Sequence, residues 1–122
     1  MEALRKAING TFQSVCGLHG ILITDREGVP IMKTVFEGMP DFTIRPALLA
    51  SHVAAIEHTA KMGLGELKHV VSNYTNHRLV AVNFHSVIAT FVGGADLNCS
   101  LIVSLKDEIA PVIGQLKEIV FS

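Results

Sequence analysis

Histidine is the residue type in this sequence that suggests chemistry most directly, because six histidines occur among 122 residues. Imidazole nitrogens bind transition metals and transfer protons near neutral pH. His52 and His58 are six positions apart in a predicted helix, so they point to different faces and do not chelate one ion as an i, i+4 pair would. Cys16 and His19 form half of a zinc motif without a second half. Surface or partly buried imidazoles are the simpler interpretation, and we predict no metal and no other cofactor.

Nucleophiles and phosphate-binding loops find equally little support. Cys16 and Cys99 lie in no recognisable nucleophile motif, and no G-x-S-x-G sequence occurs. Gly93-Gly94 follows a predicted strand and precedes a predicted helix, which is the order that an anion site requires. The G-K-[ST] sequence that brings charge to a phosphate is missing there, so a glycine pair that lets the chain leave the sheet is the simpler interpretation. The sequence therefore predicts a protein that is not an enzyme.

The composition indicates one cytosolic domain with a thin supply of charge. Hydrophobic residues make up 49% of the chain and charged residues 17%, so some apolar surface is expected to remain for a permanent partner; a compact monomer is the alternative. The net charge of −1 and the scattered basic residues argue against nucleic-acid binding. Two cysteines and no signal peptide favour a reducing compartment. The uncharged run 79–95 is shorter than the roughly 20 residues of a spanning helix, so we predict no membrane insertion.

Eight elements are predicted to position these residues, in the order α-β-β-α-β-β-β-α within a single domain, residues 1–122. Apolar residues at helical spacing predict three helices, over 2–15, 45–62 and 98–120. Runs bounded by turn residues predict five strands, over 18–25, 29–35, 66–74, 78–85 and 87–92. A loop is predicted over 36–44. The fold class is therefore α+β, with one largely antiparallel five-stranded sheet flanked by helices.

The last predicted helix carries the most detailed expectations. Asn98 or Asp96 is the expected N-cap. Pro111 removes one backbone hydrogen bond, which predicts a kink or two abutting helices. The expected apolar stripe consists of Leu101, Leu105, Ile109, Val112, Leu116 and Ile119.

Three stretches resemble the roadblock/LC7 superfamily of small dimerising modules. They are "GLHGILITDREGVPIMK" (17–33), "RPALLASHVAAIEHTAKMGLG" (45–65) and "LIVSLKDEIAPVIGQLKEIV" (101–120). Within the superfamily the chain is similar to the MAPK scaffold protein family, the MEK-partner subunits of the Ragulator complex. The "DREGVP" turn is general to the superfamily, whereas Glu108-Ile109-Ala110-Pro111 is narrower. The resemblance covers essentially the whole chain and implies that the middle helix lies on one face of the sheet and the terminal helices on the other.

The resemblance also implies how two such modules pair, with the middle helices packed together and the third strands joined into one continuous sheet. Strand 66–74 would then be an edge, and an unpaired edge is a liability unless something pairs with it. One stripe of the middle helix contains Leu49, Val53, Ile56 and Ala60. A second stripe beside it contains Leu48, His52, Ala55 and Thr59. The predicted partner-binding residues are Leu48, His52, Ala55, Thr59, Leu67, His69 and Val71. Which stripe meets the partner is open, and both could lie against the chain's own core.

By this resemblance the chain is a non-catalytic adaptor that forms a heterodimer with a second roadblock subunit. A lipidated anchor subunit would hold the cytoplasmic pair at late endosomal or lysosomal membranes, since this chain has no lipidation motif of its own. There the pair would support MEK–ERK signalling and Rag GTPase-dependent TORC1 activation. A homodimeric regulator of a small GTPase and a dynein-associated light chain are the alternatives. For the former, only Arg26 and Arg78, in predicted turns, are candidates for an arginine that reaches a phosphate.

Overall fold

The computed structural model describes residues 2–36 and 46–121, without the side chains of residues 46–50. Three α-helices are present: Glu2–Phe12 (α1), Pro46–Thr59 (α2) and Cys99–Phe121 (α3). The five strands are Leu18–Asp25 (β1), Pro30–Val35 (β2), His69–Asn73 (β3), His77–Phe84 (β4) and Val87–Gly94 (β5). They form one antiparallel sheet in the order β2-β1-β5-β4-β3. The predicted α+β class and element order are confirmed, and β2 and β3 are the two edges.

The sheet separates two apolar clusters of unequal size. α1 and α3 cover one face, where the rings of Phe12 and Phe91 lie 4.6 Å apart between their centroids. α2 covers the other face, where Val53 and Ile56 pack against β4 and β5. Because β5 is apolar at nearly every position, it can be buried from both sides, which suits the central strand. The expected division, terminal helices on one face and the middle helix on the other, is confirmed.

Helix α1 is shorter than predicted, because it ends at Phe12 instead of residue 15. The backbone N–H of Val15 donates to the Phe12 carbonyl across 3.1 Å, and Gly17 adopts φ of +81°, so the chain turns directly into β1. A positive φ is easily reached only by glycine. Val15 remains 5% exposed, and its burial explains why the apolar spacing suggested a further helical turn.

The remaining boundaries differ by a few residues. α2 gives way to a 3₁₀ turn, Ala60–Met62, which ends at Gly63 in the left-handed conformation. β3 begins later than residue 66, after Gly65 at φ +90°. The predicted loop 36–44 and the predicted helix start at Arg45 fall largely on residues 37–45, outside the described ranges.

Helix α3 is continuous, so the alternative of two abutting helices is wrong. Pro111 is exposed, and the carbonyl that loses its partner belongs to exposed Asp107, where water can satisfy it. Asn98 is confirmed as the N-cap, since the Leu101 N–H donates to its Oδ1 across 3.1 Å. The apolar stripe is rotated from the predicted one. Its buried members are Ile102, Ile109, Ile113 and Leu116, while Ile119 is 53% exposed.

Candidate partner-binding surface

The outer edge of β3 offers unpaired backbone groups at every second residue. The Asn83 N–H donates to the Lys68 carbonyl (2.9 Å), and the Tyr74 N–H donates to the His77 carbonyl (2.8 Å). Antiparallel pairs alternate between hydrogen-bonded and non-hydrogen-bonded positions, so the even-numbered residues between them bond to β4. The N–H and C=O groups of the odd-numbered residues, 69, 71 and 73, therefore point away from the sheet. The described part of the chain places no further strand beside them.

The opposite edge, β2, is partly occupied by the chain itself. The Phe36 N–H donates to the His19 carbonyl (3.0 Å), which places the odd-numbered β2 residues in outward-facing positions by the same alternation. Arg5 of α1 donates from Nη1 to the outward Lys33 carbonyl across 2.6 Å. An arginine over an edge carbonyl obstructs pairing with another strand. Of the two edges, β3 is therefore the better template for a partner.

Contacts on two opposite sides of α2 define its orientation over the sheet. On the side of the edge strand, His52 is buried and its Nε2 lies 2.9 Å from the Ser72 hydroxyl on β3. On the other side, Glu57 Oε1 accepts from Nε of Arg26, in the β1–β2 turn, across 2.8 Å. Val53 and Ile56 lie between them and pack on the sheet. Of the two stripes, the one that contains Val53 and Ile56 thus covers the chain's own sheet.

The second stripe runs along the side of α2 nearest to the β3 edge. Ala55 and Thr59 follow His52 by three and seven positions, which places all three on one side of the helix. Both side chains are half-buried within the monomer. Alanine and threonine are small enough to let another helix approach closely. Leu48 belongs to the same stripe by its spacing, but it is one of the residues whose side chains the structure does not describe.

The three predicted β3 residues have different surroundings. Leu67 precedes the strand and packs against the cluster beneath α2. His69 is opposite Val82 and therefore faces α3, where burial lowers the pKa of its imidazole below the ordinary value and Lys106 and Lys68 lower it further. Val71 faces the same side and is 41% exposed. Of the three, Val71 offers the most apolar area at the free edge.

Three exposed apolar residues beside this surface were missed by the sequence reasoning. Met62 (64% exposed) and Leu64 (82%) lie in the connection from α2 to β3, and Tyr74 (48%) directly follows β3. Their signal in the sequence was weak, because they fall outside the periodic stripes and Met62 and Leu64 adjoin Gly63. Like Val71, they leave apolar area exposed, in the connection that leads to the edge strand and at the residue that follows it.

The two arginines and the possible metal ligands that the sequence suggested do not form a catalytic or metal site in the described ranges. Arg26 bonds Glu57 and the backbone carbonyl of His85, and Nη1 of Arg78 donates to the Leu97 carbonyl (3.2 Å). Within residues 2–36 and 46–121, no three His, Cys, Asp or Glu side chains are grouped to hold a metal ion. In the same ranges no helix is both long and apolar enough to cross a bilayer.

A family model described as mitogen-activated protein kinase kinase 1 interacting matches residues 2–120 of the chain. Among curated proteins, Ragulator complex protein LAMTOR3 of Tetraodon nigroviridis is 34% identical over 119 residues, which is 98% of this chain and 96% of that protein. The human protein of the same name is 32% identical over the same shares.

Solved structures with the same fold have far more distant sequences. The gliding protein MglB of Thermus thermophilus superposes with a TM-score of 0.78 at 11% identity, over 96% of this chain and 90% of that one. A roadblock/LC7 domain of Streptomyces avermitilis gives 0.63 at 11% identity, over 93% and 94%. At such identities the likeness extends to the fold alone.

Proposed function

The chain belongs to the mitogen-activated protein kinase kinase 1 interacting family and has the roadblock/LC7 fold, and from that membership we propose that it is an adaptor subunit of a Ragulator-like complex. The resemblance predicted from the sequence is thus confirmed. So is the prediction that the chain is not an enzyme, because the family and its relatives are named for an interaction and for a complex, and not for a catalysed reaction. The adaptor acts by presenting a surface that two chains build together.

The open β3 edge is the observation that carries this proposal. Its outward backbone groups lie beside the half-buried side of α2 that contains Ala55 and Thr59. A second module of the same fold, turned by 180°, brings its own β3 and α2 to these two features at once. The two sheets then continue into one, and the two middle helices pack side by side.

The hydrogen-bond alternation also gives a register for this pairing. Within β3, residues 69, 71 and 73 are the ones with outward N–H and C=O groups, so these positions bond across the interface. An antiparallel pairing centred on position 71 uses all three. Val71 then lies opposite the equivalent residue of the partner, where its exposed side chain becomes covered.

The partner in this proposal is a second roadblock subunit rather than another copy of the chain. The heterodimer is held by a lipidated anchor subunit on the cytoplasmic side of late endosomal or lysosomal membranes. Rag GTPases and the kinases MEK and ERK are the signalling proteins that it brings together, in support of TORC1 activation and MEK–ERK signalling. The relatives' names support membership of a Ragulator complex, and the family description supports an interaction with a kinase kinase. The anchor subunit, the Rag GTPases and ERK are proposed from the family resemblance of the sequence.

Solution mass measured by light scattering tests the proposal. The chain is measured alone and after mixing with a second roadblock subunit. We expect weak self-association of the chain alone and a stable one-to-one dimer in the mixture. A tight homodimer that ignores the second subunit would contradict the heterodimeric adaptor and favour a homodimeric regulator of a GTPase or motor.

Ala55→Asp is expected to abolish the one-to-one dimer and to leave the far-UV circular dichroism of the chain unchanged. The substitution places a charge on the side of α2 beside the β3 edge, where dimerisation would bury it without a partner. Ala54→Asp is the matched control, because Ala54 is also half-buried but lies about 100° further around the helix. If Ala55→Asp pairs normally in the light-scattering assay, the interface assigned to α2 is wrong.

A further inference from the structure

A groove of about 500 Å³ runs between α3 and β4, on the face of the sheet opposite to α2. One wall is a face of α3 that extends from Lys106 to Lys117, about 16 Å along the helix. The other wall consists of the end of β4 and the turn that follows it, and Lys68, which precedes β3, also lines the groove. A length of 16 Å accommodates about five residues of an extended chain.

The rim of this groove has an excess of positive charge. Lys68, Lys106 and Lys117 contribute three ammonium groups, and within residues 2–36 and 46–121 none of them forms an ion pair. Asp107 is the one carboxylate in the lining. Burial lowers the pKa of His69 on β3, and the positive charges of Lys106 and Lys68 lower it further.

The floor of the groove is apolar and open. Phe84, Val82 and Ile113 contribute carbon atoms, and Ile113 is 1% exposed because it also belongs to the main core. Gly114 contributes no side chain, and a Cβ added there meets no atom within 4 Å. An apolar floor beneath a cationic rim is complementary to a segment that carries both apolar and acidic side chains.

We propose that the groove between α3 and β4 is a second protein-binding site, which takes an acidic segment of a partner protein. Carboxylates of the segment bind Lys68, Lys106 and Lys117, and an apolar side chain enters above Gly114. A peptide can enter a concave site, whereas a flat membrane surface would contact lysines that protrude from the protein. The concave shape therefore favours a peptide. The site lies on the opposite face of the sheet from α2 and does not depend on which chain pairs with β3.

Fluorescence anisotropy with a labelled twelve-residue peptide of alternating glutamate and leucine tests this site, on the chain together with its dimer partner. We expect saturable binding that a peptide with glutamine in place of glutamate lacks. Lys106→Glu is expected to weaken binding at least tenfold. Lys6→Glu in α1 makes the same change of charge at an exposed position away from the groove, and is expected to change the affinity less than twofold. Lys117→Glu replaces Lys106→Glu if circular dichroism shows that the latter is misfolded.

Gly114→Leu separates binding within the groove from attraction to surface lysines. It fills the floor, leaves the charge unaltered and introduces a better helix former, so it is expected to weaken binding tenfold in a folded protein. Unchanged binding by Gly114→Leu, equal losses for Lys6→Glu and Lys106→Glu, or no binding of the peptide at millimolar concentration would each overturn the proposal. Lysine-dependent binding to phosphatidylserine vesicles without peptide binding would overturn it as well.

Discussion

Val71→Pro is expected to weaken dimerisation at least a hundredfold, which is about 2.8 kcal/mol, while the monomer remains folded. The N–H of residue 71 points away from β4, so proline removes no hydrogen bond of the sheet within the chain. In the dimer the same change deletes the central bond between the two edge strands and places the proline ring where the partner's backbone would lie. Light scattering and titration of the second subunit measure the effect.

Val35→Pro is the matched control on the other edge of the sheet. Val35 also has an outward-facing backbone, on β2, and its 38% exposure is close to the 41% of Val71. We expect dimerisation of this variant within threefold of the parent protein, because Arg5 of α1 already covers part of the β2 edge. Loss of the dimer in Val35→Pro but not in Val71→Pro would show that the interface lies on the β2 edge and that its assignment to β3 is wrong.

The element order was predictable from the sequence because local signals agreed with the tertiary structure. The β-branched runs became the buried strands β4 and β5, and Asn98 became the N-cap of α3. Errors arose where a local pattern has two outcomes. Val15 continues the apolar spacing of α1, but it lies in the turn after the helix and is buried there. Pro111 suggested a break, but its exposed position lets water satisfy the carbonyl that it leaves unpaired.

The orientation of α2 could not be predicted, because two stripes of small and apolar residues lie side by side on it. Hydrogen bonds from distant parts of the chain distinguish them. Ser72 holds His52 toward the edge strand, and Arg26 holds Glu57 on the other side. These pairs join residues far apart in sequence, and helical periodicity carries no information about them.

The groove between α3 and β4 could not be predicted from the sequence either, because its lining residues are also far apart in sequence. Lys68 precedes β3, whereas Lys106 and Lys117 lie on α3, and they line one groove only because α3 packs across β4. In the sequence they belong to a scattered set of basic residues that argued against nucleic-acid binding. A near-zero net charge therefore does not exclude a local cationic site.

Gly93→Ala is expected to destabilise the fold by roughly 2–4 kcal/mol. The pair Gly93-Gly94 was interpreted as a way for the chain to leave the sheet, and the structure adds a packing reason. A Cβ on Gly93 would overlap the Gly17 carbonyl oxygen and lie 2.9 Å from Cδ1 of Leu97. That carbonyl accepts a hydrogen bond from the Gly94 N–H across 3.1 Å, so it cannot move away without losing a contact between the start of β1 and the end of β5.

Gly10→Ala is the control, since a Cβ on Gly10 in α1 meets no atom within 4 Å and is expected to stabilise the protein by about 0.5–1 kcal/mol. Thermal unfolding followed by circular dichroism compares the two variants at one protein concentration, because association changes the midpoint. We expect the midpoint of Gly93→Ala to fall by about 10 °C or more and that of Gly10→Ala to rise by a few degrees. Equal midpoints for Gly93→Ala and the parent would show that β1 and β5 can separate at this end without loss of stability. The close backbone packing at Gly93 would then not be what requires a glycine there.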